Sequence, residues 1–125
     1  MKGQLRLLGG KKLKSPSGLS TRPTTGLVRE AVMNLLGDKL ESSNWLDLFS
    51  GSGIMGCEAL QKGAKKVIAI EQDQRTARIC KSNFQSTVDG INQAGEFLVI
   101  CDEAISWLNQ GYKKQSIKFS KILSK

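Results

Sequence analysis

The 125-residue sequence contains no histidine. That excludes Ser-His and Cys-His nucleophilic sites and argues strongly against a zinc centre. Its cysteines, Cys57, Cys80 and Cys101, are scattered and form no CxxC pair. Reduced thiols in a cytoplasmic protein are therefore expected. No apolar run approaches the ~18 residues a membrane span requires, and no signal-peptide pattern opens the chain. Internal repeats and low-complexity linkers are absent as well. With 39% hydrophobic and 24% charged residues, the composition is that of an ordinary globular chain, and the length suits one domain, 1–125.

Charge is present but unevenly placed. Residues 1–22 carry Lys2, Arg6, Lys11, Lys12, Lys14 and Arg22 with no acid, and 111–125 carry Lys113, Lys114, Lys118, Lys121 and Lys125, again with none. The central residues are mildly acidic, although the whole chain is +8. Basic ends around an acidic centre suit a polyanion-binding surface beside a small-ligand site.

Local patterns divide the chain into a basic hairpin and loop (1–22), a leading helical region (23–43) and an α/β region (44–125). "QLRLLGGKKLK" reads as two short strands about a Gly9-Gly10 turn, with Leu5, Leu7 and Leu13 inward and the lysines outward. From Thr25 the period becomes helical, and Val28, Ala31, Val32, Leu35 and Leu36 share the expected inner face, with Arg29 and Glu30 turned away from it. Thr24 or Thr25 caps this helix and Gly37 ends it. Strand and helix then alternate: strand 45–49, helix 54–61 closed by Gly63, strand 66–71, helix 74–84 with Ala77, Cys80 and Phe84 buried, strand 97–101, helix 103–109. The segment "SIKFSKILSK" begins a fourth strand. Repeated βαβ units imply right-handed crossovers and a parallel sheet with helices on both faces.

The stretch "NWLDLFSGSGIMG" carries the chemistry. Gly51-Ser-Gly53-Ile-Met-Gly56 satisfies GxGxxG, and Glu71 follows Gly51 by twenty residues, the spacing of a dinucleotide site. Asp47 stands four residues before the first glycine, however, where a pyrophosphate would be repelled and a cationic ammonium or sulfonium welcomed. S-adenosylmethionine fits that charge pattern. Ser50, Gly51 and Gly53 then form a turn that lets backbone pass close to the ligand. Asp47 faces the ammonium, Glu71 accepts both ribose hydroxyls, and Asp102 accepts from the adenine amine. Each acid ends a successive strand, where open α/β sheets bind ligands. An NAD-dependent oxidoreductase remains an alternative on the glycine spacing alone, and a non-catalytic RNA-binding module on the basic ends alone.

"RLLGG", "STRPTTGLVREAVMNLL" and "WLDLFSGSGIMGCEALQKGAKKVIAIEQD" together resemble the RsmD-type bacterial 16S ribosomal RNA (guanine-N2) methyltransferases, over residues 5 to about 122. The resemblance implies a class I, Rossmann-like methyltransferase fold, S-adenosylmethionine as donor, and 16S rRNA in an assembling small subunit as acceptor. It makes the hairpin cations Lys11, Lys12 and Lys14, with Arg22 of the Arg-Pro-Thr loop, RNA contacts. Thr24 of the same loop is a weaker candidate. Family members carry a [DN]-P-P-[YF] motif after the fourth strand, which frees the guanine amine's lone pair and stacks on the base. Here the prolines are Pro16 and Pro23, outside any such context, so no catalytic residue is assigned. The expectation is a donor-binding half truncated before its catalytic motif and incomplete in its C-terminal half. The first strand would then lie nearly at an edge and invite self-association.

Overall fold

A computed structural model describes residues 4–16, 25–111 and 121–123. The main chain forms α1 (Gly26–Leu36), a 3-10 turn (Gly37–Leu40), β1 (Asn44–Asp47), α2 (Ile54–Gln61), β2 (Lys66–Glu71), α3 (Gln74–Asp89), β3 (Glu96–Cys101), α4 (Ala104–Ser106, running into a π-turn at Trp107–Gly111) and β4 (Lys121–Leu123). The sheet order is β3-β2-β1-β4, parallel throughout, with Leu46 opposite both Ile68 and Ile122. The parallel α/β architecture is thus the expected one. β1 lies one strand from the edge of the sheet, as expected, but β4 pairs along Trp45–Asp47, so its backbone there has a neighbour on each side. β3 and β4 are the outer strands among the described residues.

Alternation along the strands sends Trp45, Val67 and Ala69 to one face and Leu46, Leu48, Ile68 and Ile70 to the other. The first face packs beneath α2 and α3, joined by Leu5, Leu7 and Leu13 of the hairpin and Met33 of α1. The second packs against Ala104 and Trp107. Burial on both faces is why "KVIAIE" reads as a continuous apolar run.

Helix α3 buries Ala77, Cys80 and Phe84 as its spacing indicates, but it continues to Asp89 because Thr87 and Asn83 are buried too. The Thr87 hydroxyl donates to the Asn83 carbonyl at 2.8 Å, so a polar-looking last turn is satisfied internally. The helix expected over 103–109 is helical only at Ala104–Ser106 before widening into the π-turn, with the Glu103 carboxylate accepting from Ile105 and Ser106 N–H.

The inner face of α1 differs from the expected one. Thr25 caps the helix and Gly37 follows it, but Arg29 and Met33 point inward while Val28 and Leu35 are 50% and 84% exposed. Val32 and Leu36 keep partial contact with the core. The cause is Glu58, buried in α2, whose Oε2 lies 3.2 Å from Arg29 Nε. Arg29 Nη2 also donates to the Arg6 carbonyl at 2.7 Å. A buried carboxylate on α2 requires a cation, and α1 turns to supply one.

Candidate functional site

The carboxyl ends of β1, β2 and β3 converge on the turn between Leu48 and Gly53. Ser50 N–H donates to the Ile70 carbonyl (3.1 Å), fastening the turn to β2, and Gly53 N–H closes it onto the Ser50 carbonyl (2.8 Å). Gly53 has φ +82°, and a Cβ there would sit 2.7 Å from Cys80 Sγ. At Gly56 a Cβ would lie 2.6 Å from the Phe84 ring and 2.9 Å from Val67, so this glycine sets how closely α2 approaches α3 and the sheet. The glycines therefore serve two purposes: left-handed backbone at the turn and close packing in the helix.

Two of the three acids expected here have their carboxylates engaged by backbone at the mouth of the turn, and the third lies beneath it. Glu71 accepts from Gly51 N–H through Oε1 (3.0 Å) and from Asp73 N–H through Oε2 (2.9 Å). Asp102 N–H donates to the Glu71 carbonyl (3.2 Å), while Asp102 Oδ1 accepts from Glu103 N–H (2.7 Å). Asp47 is enclosed, 1% exposed, and its Oδ1 accepts from Phe49 N–H at 3.3 Å. Beside Glu71 a small cavity of about 70 Å³ is lined by Leu48, Phe49, Ile70, Glu71, Gln72 and Ala104. A wider one of about 550 Å³ lies at the opposite ends of the strands, among Ser42, Asn44, Lys66 and Glu96, away from the turn and the three acids. The smaller has apolar walls and a carboxylate at one end.

Neighbouring titratable groups are structural. Burial pushes the Cys57 thiol up to about 12 and raises Cys80 further, so neither is a nucleophile near neutral pH. Cys80 instead donates to Ser50 Oγ at 3.6 Å, beneath the turn. Asp73 caps α3, and the Thr76 backbone N–H and hydroxyl hold its carboxyl below the usual range. Among the described residues no group of three or more His, Cys, Asp or Glu side chains is placed to hold a metal ion. No helix among them is long and apolar enough to cross a membrane.

Beside the turn stands the basic hairpin. Arg6 and Lys12 form an antiparallel bridge, flanked by Leu7 N–H to the Lys11 carbonyl and Leu13 N–H to the Leu5 carbonyl, both 2.9 Å. With Leu5, Leu7 and Leu13 buried, Arg6, Lys12 and Lys14 face solvent together. Lys11 is half-buried and near enough to Cys57 to pull that thiol's pKa downward, against the larger effect of burial. Arg22 and Thr24 lie outside the described residues.

Three residues not anticipated from the sequence fix this arrangement: Arg29, Glu58 and Asn83. Glu58 accepts from Leu8 N–H (2.8 Å) as well as from Arg29. Asn83 accepts from Lys14 N–H (2.8 Å) and donates to the carbonyls of Lys14 and Ser52 (2.9 Å each). A charged or amide residue inside an otherwise apolar helix pattern, as at Arg29 and Glu58, is the one signal that could have indicated them.

Comparison with known proteins gives concordant results. The model of a family described as "Conserved hypothetical protein 95" matches residues 3–120. Ribosomal RNA small subunit methyltransferase D of Escherichia coli (strain K12) is 34% identical over 121 residues, 94% of this chain and 59% of the relative. The structure of a hypothetical protein from Thermus thermophilus superposes with a TM-score of 0.74 at 29% identity, covering 94% of this chain and 66% of that one. An O-methyltransferase from Bacillus cereus, solved in complex with SAH, shares the fold alone: TM-score 0.65, 17% identity, 80% of this chain and 44% of that one. The chain spans a little over half the length of the Escherichia coli relative.

Proposed function

The chain belongs to the Conserved hypothetical protein 95 family, the RsmD-type methyltransferases, and from that premise we propose that it binds S-adenosylmethionine at the carboxyl ends of β1–β3 and presents its basic hairpin to 16S rRNA. The observation that carries the reading is the Glu71 carboxylate, tied by Gly51 N–H to the glycine turn so that turn and carboxylate form one unit. Each of its oxygens has one backbone donor and retains a lone pair for a ribose hydroxyl. Ile70, Gln72 and Ala104 line the small cavity beside Glu71, and Asp102, whose N–H donates to the Glu71 carbonyl, is the group proposed for the adenine amine. Asp47, enclosed beneath the turn, supplies negative charge toward an ammonium across the turn or a bound water.

Bound there, S-adenosylmethionine supplies an electrophilic methyl group on a sulfonium. The residues of this chain orient and enclose the nucleoside, and Lys12, Lys14 and Lys11, with Arg22, hold the RNA phosphates alongside. Activating a guanine amine calls for an acceptor of its hydrogens and a stacking ring, the work of the [DN]-P-P-[YF] motif, which is absent from these 125 residues. Donor binding is therefore the activity proposed for them, and methyl transfer for the family's complete catalytic unit.

The test is calorimetric titration with S-adenosylhomocysteine, with NAD as a control that should give no heat. Glu71→Ala should weaken binding by about 1.5–3 kcal/mol, the usual scale for hydrogen bonds to a charged group. Equal affinities for wild type and variant would remove Glu71 from the site.

A further inference from the structure

The hairpin and the glycine turn are joined through one side chain. Asn83 is 2% exposed on α3, and its amide clasps the Lys14 backbone on one side while donating to the Ser52 carbonyl on the other. Both amide hydrogens and one oxygen lone pair are used, and the reversed orientation would set the NH₂ against Lys14 N–H and the oxygen against two carbonyls. Ser52 lies between Gly51 and Gly53, both with positive φ. Gly51 N–H in turn holds Glu71 Oε1. A continuous chain of contacts thus runs from the Lys14 backbone, through Asn83 and the turn, to the carboxylate proposed for the ribose.

We infer that Asn83 is a positioning residue that couples the hairpin to the donor turn, so that RNA held by the hairpin and a nucleoside donor held by the turn raise each other's affinity. The inference rests on the donor and RNA sites proposed above. The two states are a closed clasp, with Lys14 docked on Asn83, and an open one in which the amide is released to rotate. Phosphates gripping Lys12 and Lys14 favour the closed clasp. The closed clasp holds the Ser52 carbonyl, and with it the Gly51 N–H that orients Glu71. Linkage makes the effect reciprocal.

The experiment titrates S-adenosylhomocysteine into the full chain with and without a saturating mixed-sequence RNA stem-loop, and repeats it in the reverse order. Wild type should bind each ligand about fivefold or more tightly in the presence of the other, the lower range of typical coupling. Asn83→Asp keeps the acceptor for Lys14 N–H but sets an anionic oxygen against two carbonyls, and should bring both ratios below about twofold. Should that variant fail to fold, Lys14→Pro opens the clasp from the hairpin side, and Lys14→Gln, which keeps the backbone clasp, is its control for lost charge. A residue that only stabilised the fold would lower the melting temperature and leave the ratios unchanged. Ratios near one in wild type, with both ligands binding, overturn the coupling. Ratios unchanged in Asn83→Asp, or in Lys14→Pro where that variant stands in, overturn the role of Asn83. Absence of S-adenosylhomocysteine binding to wild type overturns the proposed donor site itself, and the coupling falls with it.

Discussion

Replacing Glu58 with alanine probes the junction on which the hairpin and α1 both depend. The Glu58 and Arg29 side chains are 2% and 8% exposed, and the carboxylate also accepts from Leu8 N–H. Removing it takes the carboxylate from a buried guanidinium, a change that costs about 3–5 kcal/mol in comparable buried pairs. The orphaned Leu8 N–H adds to this within a general cost of about 1–3 kcal/mol per unsatisfied group, and the two overlap rather than sum. Set against the roughly 5–15 kcal/mol that stabilises a typical domain, the variant should lose about a fifth or more of its stability. At a urea slope of about 2 kcal/mol/M, the unfolding midpoint falls by roughly 2 M. Glu58→Gln, which keeps an acceptor for Leu8, should fall less. The double variant Arg29→Met with Glu58→Leu should recover most of the loss, since apolar replacements of a buried pair are often neutral or better. A loss below about 1 kcal/mol in Glu58→Ala, the range of exposed pairs, would show that the guanidinium reaches water and that the ion pair does not set the rotation of α1.

Three further outcomes follow from the same geometry. Thiol titration of the native protein near pH 8 should find Cys101 alone reactive, since it is exposed while burial raises Cys57 and Cys80; fast modification of a second thiol would contradict the packing beneath the turn. Asp73 titrates below its ordinary 3.8, so its contribution to stability is full above that value and is lost as pH falls through the lower folded-state pKa. Asp73→Asn should accordingly flatten the acid limb of a stability–pH curve while still capping α3 at neutral pH, and an unchanged acid limb would place the lost protonation elsewhere. Replacing Lys12 and Lys14 with Gln should flatten the logarithmic salt dependence of RNA binding by roughly 1–2 units. Lys11→Gln, at a half-buried position, should do less, and equal effects from all three would mean that the hairpin rearranges on binding.

What was legible in the sequence is what short-range pattern can encode. "KVIAIE" and "IMGCEALQ" define β2 and α2 at their observed bounds. The spacing of Asp47, the glycines, Glu71 and Asp102 placed those residues at the ends of three neighbouring strands. The register that sets Leu46 opposite Ile68 and Ile122 was not written in any one segment. Nor was the inward face of α1, because a residue pattern ranks Arg29 as solvent-facing until Glu58, twenty-nine positions away, is known to be buried beside it. The last turn of α3 was missed because Thr87 reads as surface until its hydroxyl is seen buried on the Asn83 carbonyl, and the role of Asn83 was missed because Lys14, sixty-nine positions earlier, satisfies it.

The residues that escaped the pattern share one task. Arg29 holds the Arg6 carbonyl, Glu58 holds Leu8 N–H, and Asn83 holds both the N–H and the carbonyl of Lys14. Among the described residues the hairpin's own ladder is the Arg6–Lys12 bridge and its flanking backbone bonds, too little to be stable in isolation. Its leucines supply adhesion, but apolar contact is non-directional and does not select an orientation. Direction comes from the three polar clamps, each buried and each made to main chain, so the hairpin's side chains can vary without releasing them. That division leaves Arg6, Lys12 and Lys14 turned outward to meet an anionic partner while the backbone carrying them is docked on α1, α2 and α3. A basic surface held in this way arrives at a partner largely ordered, so most of the hairpin's ordering entropy is met during folding and only the closing of the Lys14 clasp is left to binding.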